Sequence, residues 1–413
     1  MITEMESNIT DRPSMLIGIL TAFLCLFAVS LFFSQSGVSI FGPLSLIILL
    51  YFYIPERKIW PSLNTPLYLR LAIGLFVLSY FLSAAISDNT GRAVSEILNL
   101  WNIPFAMLLL TFPLDIKHKR IVGRAFLIAA CVAGILALMQ FFQVVISNHG
   151  TRASGFTHPV HYAGLLAVGS IVAMASLAAH TEKLNGKERL LAVAALVLTL
   201  LGLLCTQTRG VWISLGAASF VFLVMRFRRK SVYIIVPIAL ILALLIGISP
   251  KLRDRVFVTV ENLQHIEQGQ TGLGARLVAW KGAYLLFRES PLLGTGVGDW
   301  REVYTLMEEG KIPKTYELNL LHAHNNYMQW LATQGLLGLC ALLFLLGAFF
   351  LWALREIRGG QHVRGYTVLM CTIFVIVWGM TESNLIIHKI FSMLCFTIAY
   401  MGSLRELKGQ DKA

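Results

Sequence analysis

Residues 15–34 read MLIGILTAFLCLFAVSLFFS, a run of apolar and small residues without a single charged side chain. A run of about 20 apolar residues has the length that crosses the core of a bilayer as a helix. Comparable runs recur along nearly the whole chain of 413 residues, of which 56% are hydrophobic and only 14% charged. Soluble domains carry about 25% charged residues. The sequence therefore predicts an all-α, polytopic membrane protein.

The apolar runs divide the chain into about twelve predicted transmembrane helices. An even number of spans places both termini on the same side of the membrane. One connection, residues 250–320, is much longer than the others; it separates a first part with nine spans, 1–249, from a last part with three spans and a tail, 321–413. The spans are predicted at about 15–34, 37–54, 67–86, 95–112, 121–147, 160–179, 190–205, 210–227, 231–249, 325–353, 366–384 and 389–404.

Lysine and arginine are distributed unequally between the two sets of connections. The cation-poor set holds Arg92, Arg152, Arg209 and Lys389 outside the long loop. Because basic connections stay in the cytoplasm, the cation-rich set and both termini are predicted there, in the bacterial inner membrane. The net charge of +12 then reflects topology, and no nucleic acid partner is expected. The cation-rich set comprises Arg57, Lys58, Lys117, Lys119, Arg120, Lys183, Lys187, Arg189, residues 226–230, Arg355, Arg358, Arg364, Arg405, Lys408 and Lys412.

The long connection is predicted on the periplasmic side. Its segment GARLVAWKGAYLLF, residues 274–287, has apolar residues at three-to-four spacing, which is typical of an amphipathic helix. Residues 291–300, PLLGTGVGDW, form a glycine-rich turn. This loop is the only predicted extramembrane segment large enough to form a lid or a small domain.

Among the arginines on the predicted outer side, three are candidates for a function: Arg152, Arg209 and Arg276. An arginine at a membrane interface can simply extend its guanidinium toward water. The alternative is an anion site, because a guanidinium offers two parallel hydrogen bonds to phosphate or carboxylate. Arg209 is the stronger candidate, since it sits in a tight turn between two spans. Three arginines from separate segments would suit a diphosphate.

Two histidines, His322 and His324, precede the tenth predicted span in LHAHNNYMQWLATQGLLGL, residues 321–339. They could cap that helix, or they could bind a metal with further ligands from the outer loops, although no ligand spacing is recognisable. They could also act as a general base, because the partial positive charge at a helix N-terminus disfavours an imidazolium. The further metal ligands considered are His149, His158, His161, Glu317 and Glu382.

Several short motifs resemble those of bacterial O-antigen ligases, a superfamily that includes O-antigen polymerases and O-linked protein oligosaccharyltransferases. HNNYMQWLATQGLLG, residues 324–338, is similar to their His-Asn signature with Gly335 and Gly338. TQTRGVW resembles their arginine motif, with Thr208 where many relatives have serine. RASGFTHPVHYAG, GARLVAW and LLGTGVGDW resemble their outer-loop motifs. The resemblance covers about residues 150–340.

The resemblance implies a membrane-embedded glycosyltransferase of the C type. Such ligases transfer a polysaccharide from undecaprenyl diphosphate to a sugar hydroxyl of lipid A–core on the periplasmic face, without metal or nucleotide cofactor. His324 would be the catalytic base, and Arg209 and Arg276 would stabilise the leaving diphosphate. The predicted substrate-binding residues are Arg152, His322, Asn325 and Gln207.

Two rival functions remain open at this point. A polymerase of the same superfamily would join two carrier-linked chains; the dominance of one outer loop favours a ligase. A transporter or flippase would place ionisable residues near the middle of the bilayer and often shows two similar halves. Here mid-span charges are scarce and no inverted repeat is recognisable, so an enzyme is favoured.

Overall fold

The computed structural model describes residues 14–54, 65–178, 185–250, 253–254, 272–300, 302–313 and 321–404. Within these ranges the protein is helical and contains no β-strand. Glu317 and the basic residues 57, 58, 183, 405, 408 and 412, as well as both termini, lie outside the described residues.

In the described residues, ten helices precede the long loop. They are α1 (Ser14–Phe33), α2 (Gln35–Tyr53), α3 (Leu67–Ala85), α4 (Thr90–Asn99), α5 (Asn102–Thr111), α6 (Ile116–Phe141), α7 (Pro159–Ala178), α8 (Gly186–Cys205), α9 (Arg209–Phe227) and α10 (Val232–Ile248). The fourth predicted span is divided between α4 and α5. A short 3-10 turn, Arg228–Ser231, joins α9 to α10.

Where the structure describes them, the long loop and the last part of the chain contribute five further helices. They are α11 (Gly272–Glu289), α12 (Glu302–Glu308), α13 (Asn326–Arg358), α14 (His362–Trp378) and α15 (His388–Ser403). The predicted amphipathic helix over 274–287 is confirmed as α11. Nine helical segments of the described chain are long and apolar enough to cross a membrane. The protein is therefore a multi-pass, all-helical membrane protein by length and composition, whereas the number of twelve spans stays a prediction.

The basic connections gather at one end of the helix bundle, here called the basic end. Lys119, in the first turn of α6, donates from Nζ to the backbone oxygen of Ser403 at the end of α15, at 2.7 Å. Arg364, in the first turn of α14, donates to the oxygen of Gly402 at 2.6 Å. The packing thus brings cation-rich connections from distant parts of the sequence together, as the charge pattern predicts. Which compartment they face stays a prediction.

The opposite end, here called the site end, is formed by the connections that carry the predicted functional residues. Gln140 of α6 accepts hydrogen bonds from the backbone of Ser154 and Gly155, at 3.0 and 2.8 Å. Asn326, at the start of α13, donates its backbone N–H to the oxygen of Gly379, just after α14, at 2.7 Å. The loops after α6, α8 and α14 and the start of α13 therefore lie at the same end.

Helix α13 is broken at Gly335, where φ is 62° and ψ is −160°. Such a break leaves backbone groups without helical partners. The glycine-rich turn predicted at 291–300 supplies those partners. The oxygens of Ala332 and Thr333 accept from Thr295 and Gly296, and the N–H groups of 336 and 337 donate to the oxygens of 291 and 292. These four backbone hydrogen bonds, here called the joint, connect the long loop to the helix bundle at the break.

The long loop forms a small apolar core against the first half of α13. Trp280 of α11 is half-buried there and donates from Nε1 to the backbone oxygen of Ala323 at 3.1 Å. Ala323 stands between the two predicted site histidines. The fold of the loop thus fixes the position of the histidine segment. The buried members of this core are Val278, Ala279, Ala283, Leu286, Trp300, Val303, Leu306, Met307, Ile312, Ala323 and Ala332.

Candidate active site

The histidine segment is held by the residues that follow α14. Asn325 is the N-cap of α13: its side-chain oxygen accepts from the N–H groups of Tyr327 and Met328, at 2.9 and 3.1 Å. Its amide donates to the oxygen of Met380, and its backbone N–H donates to Ser383 Oγ. In this structure Asn325 is a structural cap, and its predicted contact with substrate stays a prediction.

His324 and Glu382 form a close pair at the centre of the site end. His324 Nδ1 lies 3.1 Å from Glu382 Oε1 and 3.4 Å from Oε2. Both side chains are largely buried, with 12% and 5% exposure. The backbone of His324 is left-handed, at φ 50°, a conformation that costs energy for a residue with a side chain. The hydrogen bonds of Asn325 hold the segment in this shape.

Glu382 is a charged acceptor in this pair. Burial opposes its ionised form, but the hydrogen bond from His324 and the nearby His322 and Arg276 outweigh burial and lower the pKa of Glu382 to about 2. An ionised carboxylate can only accept hydrogen bonds. His324 Nδ1 must therefore donate, and in the neutral form of the ring Nε2 is the nitrogen with the lone pair. His324 Nε2 is buried and has no hydrogen-bond partner among the described residues.

His322 packs against His324, with ring centroids 4.1 Å apart. Its Nδ1 accepts the backbone N–H of His324 at 3.2 Å. Burial lowers the pKa of His322 to about 4; Glu382 opposes this shift, while His324, His161 and Arg276 add to it. His322 is therefore neutral near pH 7 and supports the backbone of His324. This position agrees with a positioning role, and its predicted contact with substrate stays a prediction.

Arg276, a residue of the long loop, places a fixed positive charge near His322 and Glu382. It lies near the start of α11, and its guanidinium acts electrostatically on both His322 and Glu382. The residue belongs to a segment whose apolar face packs on the first half of α13. The structure thus brings Arg276 close to both predicted histidines, although more than 40 residues separate it from them in the sequence.

Arg152 and Gln207 tie two other loops together at the site end. Arg152 Nε donates to the oxygen of Thr206 at 3.2 Å, and its Nη2 donates to Thr208 Oγ1 at 3.3 Å. Gln207 is buried, has a left-handed backbone at φ 54°, and lies with Nε2 3.5 Å from the oxygen of Thr151. Arg152 is therefore directly beside the turn that carries Arg209.

Arg209 opens α9 in the turn that Arg152 contacts. Its neighbour Gly210 packs so closely that a Cβ there would lie 2.6 Å from Thr381 Oγ1. Thr381 immediately precedes Glu382, so the start of α9 abuts the segment that orients His324. All the predicted site residues thus lie in the loops and helix ends of one end of the bundle.

Residues 194–343 match the family model described as O-antigen ligase. The chain carries an O-antigen ligase family domain. The matched segment includes Arg209, Arg276, His322 and His324, whereas Arg152 and Glu382 lie outside it. The chain is also similar to an uncharacterized protein of Haemophilus influenzae, with 24% identity over 382 residues that cover 86% of this chain and 91% of the relative. The resemblance seen in the sequence motifs is therefore confirmed at the level of the family.

Three further histidines surround the loop of Arg152. The ring of His158 lies 5.0 Å from that of His149 and 5.6 Å from that of His161. Burial lowers the pKa of His158 to about 4; His161, His149 and Arg152 act in the same direction, and Glu382 opposes them. His158 is therefore neutral near pH 7 and does not compete with the arginines for an anion.

One group in the described part of the chain has the spacing of a metal site. Potential ligand atoms of His322, His324 and Glu382 all lie within 4.8 Å of one another. The same short distances are accounted for by the hydrogen bond between His324 and Glu382. The fixed charge of Arg276 beside the carboxylate opposes a divalent cation. The expectation that no metal is needed stays a prediction, for which a chelator gives a direct test.

Sequence reasoning missed the role of Glu382. It considered this residue only as a metal ligand and placed it at the end of the predicted eleventh span, 366–384. In the structure α14 ends at Trp378, so Glu382 lies outside the helix, 3% exposed and beside His324. The available signal was a carboxylate at the edge of an apolar run, where a buried charge needs a partner.

Proposed function

We propose that this protein is an O-antigen ligase, an inverting glycosyltransferase of the C type. It moves a polysaccharide from undecaprenyl diphosphate to a sugar hydroxyl of lipid A–core, on the periplasmic face of the inner membrane. The family match supports a transferase of the O-antigen ligase and polymerase group. The choice of donor, acceptor and membrane face rests on the chemistry of the site and on the charge pattern of the loops.

The observation that carries the proposal is the contact between His324 and Glu382. Glu382 accepts a hydrogen bond from Nδ1–H of His324. The other ring nitrogen, Nε2, has no hydrogen-bond partner among the described residues and is the atom that can accept a proton. An imidazole oriented in this way by a carboxylate is the arrangement of a general base. A hydroxyl is the group that such a base activates most directly.

The reaction then follows from the charges at the site end. An acceptor sugar hydroxyl loses its proton to His324 Nε2 while its oxygen attacks the anomeric carbon of the donor. The bond between that carbon and the diphosphate oxygen breaks, and its electron pair leaves with undecaprenyl diphosphate. Glu382 stabilises the imidazolium that forms. Direct attack from the face opposite the leaving group inverts the anomeric configuration.

The three arginines provide the positive charge that a departing diphosphate needs. Arg276 acts on the His322–Glu382 pair, and Arg152 contacts the turn of Arg209. Fixed cations placed where negative charge develops stabilise the transition state, and they replace the divalent ion that soluble glycosyltransferases use. Diphosphate as the leaving group also removes any need for a nucleotide cofactor.

An apolar cavity in the bundle supports a lipid-linked substrate. It lies between α3, α5, α13, α14 and α15, with Leu69, Phe76, Met107, Leu345, Val375 and Leu394 among its lining residues. Leu385, which also lines the cavity, is only three residues from Glu382. An isoprenoid chain could therefore lie in the hydrocarbon region while its diphosphate reaches the site end.

Polymerase and O-linked protein oligosaccharyltransferase are the alternatives within the same chemistry. Both would use the same base and the same arginines, and they differ only in the acceptor. The single large loop, whose core packs on the histidine segment, favours the ligase. Supplying purified protein with one donor and each acceptor class in turn separates the three functions.

The decisive experiment is transfer from a carrier-linked glycan to purified lipid A–core by the full chain in detergent or nanodiscs. Wild-type protein is expected to form the product, and His324→Ala is expected to lose transfer while it still inserts and elutes as a folded protein. His118→Ala, at the basic end, serves as the control and should retain activity. An active His324→Ala variant would contradict the assignment of the base.

The same assay tests for a metal. Wild-type transfer is expected to persist in EDTA, because the arginines supply the charge. A sharp loss of activity that a divalent ion restores would assign His322, His324 and Glu382 as metal ligands instead.

A further inference from the structure

Helix α15 begins at the site end without a cap. Its N-cap residue is Ile387, whose side chain cannot accept a hydrogen bond, and its first turn contains no acidic residue. The first N–H groups of any helix lack partners within the helix. Together with the helix dipole, they make such an end attractive to anions.

Lys389 occupies the first turn of this helix. A cation at the N-terminus is on the unfavourable side of the helix dipole, and it is costly to bury. Nevertheless Lys389 is only 6% exposed. In the part of the chain that the structure describes, it makes neither an ion pair nor a hydrogen bond. Helical side chains lean toward the N-terminus, so Lys389 belongs to the part of α15 whose first N–H groups lack partners within the helix.

Ser392 adds a second buried polar group without a partner. It follows Lys389 by three residues and so lies on the same face of α15. Its side chain is 0% exposed, and its Oγ has no hydrogen-bond partner among the described residues. Helical serines commonly donate to the carbonyl one turn earlier. A hydroxyl that is buried without this bond, on the same helix face as a buried lysine, indicates a polar ligand.

His161 links this region to the candidate active site. Its imidazole, in the first turn of α7, is within the electrostatic reach of Lys389 as well as of His324 and Glu382. The side chain of His388 contacts the start of α2, where its Nδ1 lies 2.7 Å from Gln35 Nε2. Lys389, one residue on, points to a different face of the helix. Lys389 and the His324–Glu382 pair are therefore electrostatic neighbours of the same histidine.

We propose that Lys389, the Ser392 hydroxyl and the uncapped N–H groups of α15 form an anion subsite for a phosphoryl group of the substrate. A phosphoryl group offers several strong acceptor oxygens and enough charge to neutralise a buried ammonium. The role of the subsite in catalysis rests on the proposed transfer reaction, whereas its binding of an anion does not. The phosphoryl group belongs either to the donor diphosphate or to a phosphorylated acceptor.

Binding of inorganic diphosphate and inorganic phosphate to the purified full chain tests the subsite without turnover. Affinity is measured by isothermal titration for wild type, for Lys389→Met and for Lys281→Met. Methionine keeps the length of lysine and removes its charge, and Lys281 is an exposed lysine of α11 that serves as the control. Lys389→Met is expected to bind diphosphate at least about tenfold more weakly, while Lys281→Met binds as wild type.

Thermal melting without ligand separates binding from folding. Because Lys389→Met removes a buried charge without a partner, its apparent melting temperature should equal or exceed that of wild type. If this variant fails to fold, Ser392→Ala, which keeps the charge, takes its place and should weaken diphosphate binding severalfold. Wild-type diphosphate affinity in the folded variant would overturn the subsite.

Steady-state transfer identifies the source of the phosphoryl group. A raised KM for the donor in Lys389→Met assigns the donor diphosphate, and a raised KM for the acceptor assigns a phosphate on the acceptor. Unchanged KM values for both substrates would overturn the subsite. If wild-type protein shows no transfer but its diphosphate binding depends on Lys389, the subsite stands and the proposed function fails.

Discussion

Nδ1 of His324 lies 3.1 Å from Oε1 of Glu382, although 58 residues separate the two in the chain. The contact joins the start of α13 to the segment after α14. Because Glu382 is ionised and can only accept, the contact determines which ring nitrogen of His324 is left to act as a base. The following predictions test this contact and the features that hold it.

Glu382→Gln should lower kcat by about 10²-fold or more, since general base catalysis contributes about 10²–10⁴-fold. Glutamine keeps the size of the side chain but removes the charge that orients and stabilises the histidine. Transfer kinetics with both substrates give the measurement, and Glu308→Gln, an exposed acid of α12, is the control. A wild-type kcat in Glu382→Gln would show that His324 does not depend on this carboxylate.

Arg209→Lys should impair transfer by about tenfold or more, although the positive charge is kept. A lysine ammonium cannot make the two parallel hydrogen bonds that a guanidinium makes to a phosphate. The matched control is Arg288→Lys, in the exposed last turn of α11. If the two variants turn over equally fast, Arg209 acts only through its charge or not at all.

Gly335→Ala should destabilise the protein by about 1–3 kcal/mol, because a non-glycine residue is strained at this left-handed position. An added Cβ would also lie 2.5 Å from the backbone of Leu292, inside the joint between loop and bundle. Gly347→Ala, in the same helix and with no atom within 4 Å of the added Cβ, is the control. Apparent melting temperatures in detergent compare the two; equal values would argue against the joint.

Stability should fall as the pH drops from 6.5 toward 4, and His322 should account for part of the loss. Burial, together with His324, His161 and Arg276, lowers the pKa of His322 from 6.5 to about 4 despite the opposing Glu382. The unfolded chain therefore binds a proton in this window that the folded protein does not, so folding weakens with acid. Melting temperatures across the window should fall less steeply in His322→Asn than in wild type. An identical slope in both, with His118→Asn as the control, would contradict the assignment.

Much of the fold follows from local sequence patterns. Apolar runs predict the helices of the bundle because burying a helix in a membrane depends on the hydrophobicity of contiguous residues. The three-to-four spacing in 274–287 predicts α11 for a similar reason. The glycine signature predicts a close approach at Gly335. The sequence does not show that its partner is the turn at 291–296, because that pairing joins backbone groups about 40 residues apart.

The site was predictable in its residue types but only partly in its contacts. The charge pattern and motifs indicate His324, Arg209 and Arg276 as candidates. They do not reveal that Asn325 caps α13, that Arg152 lies against the turn of Arg209, or that Lys389 is buried. Burial and hydrogen bonding of these side chains depend on which helix ends meet, and no local pattern encodes this.

The sequence by itself determined that the chain is a multi-pass helical protein, that its basic connections alternate with cation-poor ones, and which motifs place it near the O-antigen ligases. These properties depend on hydrophobicity and charge summed along short segments. Only the tertiary structure decided that Glu382 orients His324 and that the loop core fixes the histidine segment. These contacts arise from the packing of α11, α13 and α14, where a shift of about 1 Å would break a hydrogen bond that the linear sequence leaves unspecified.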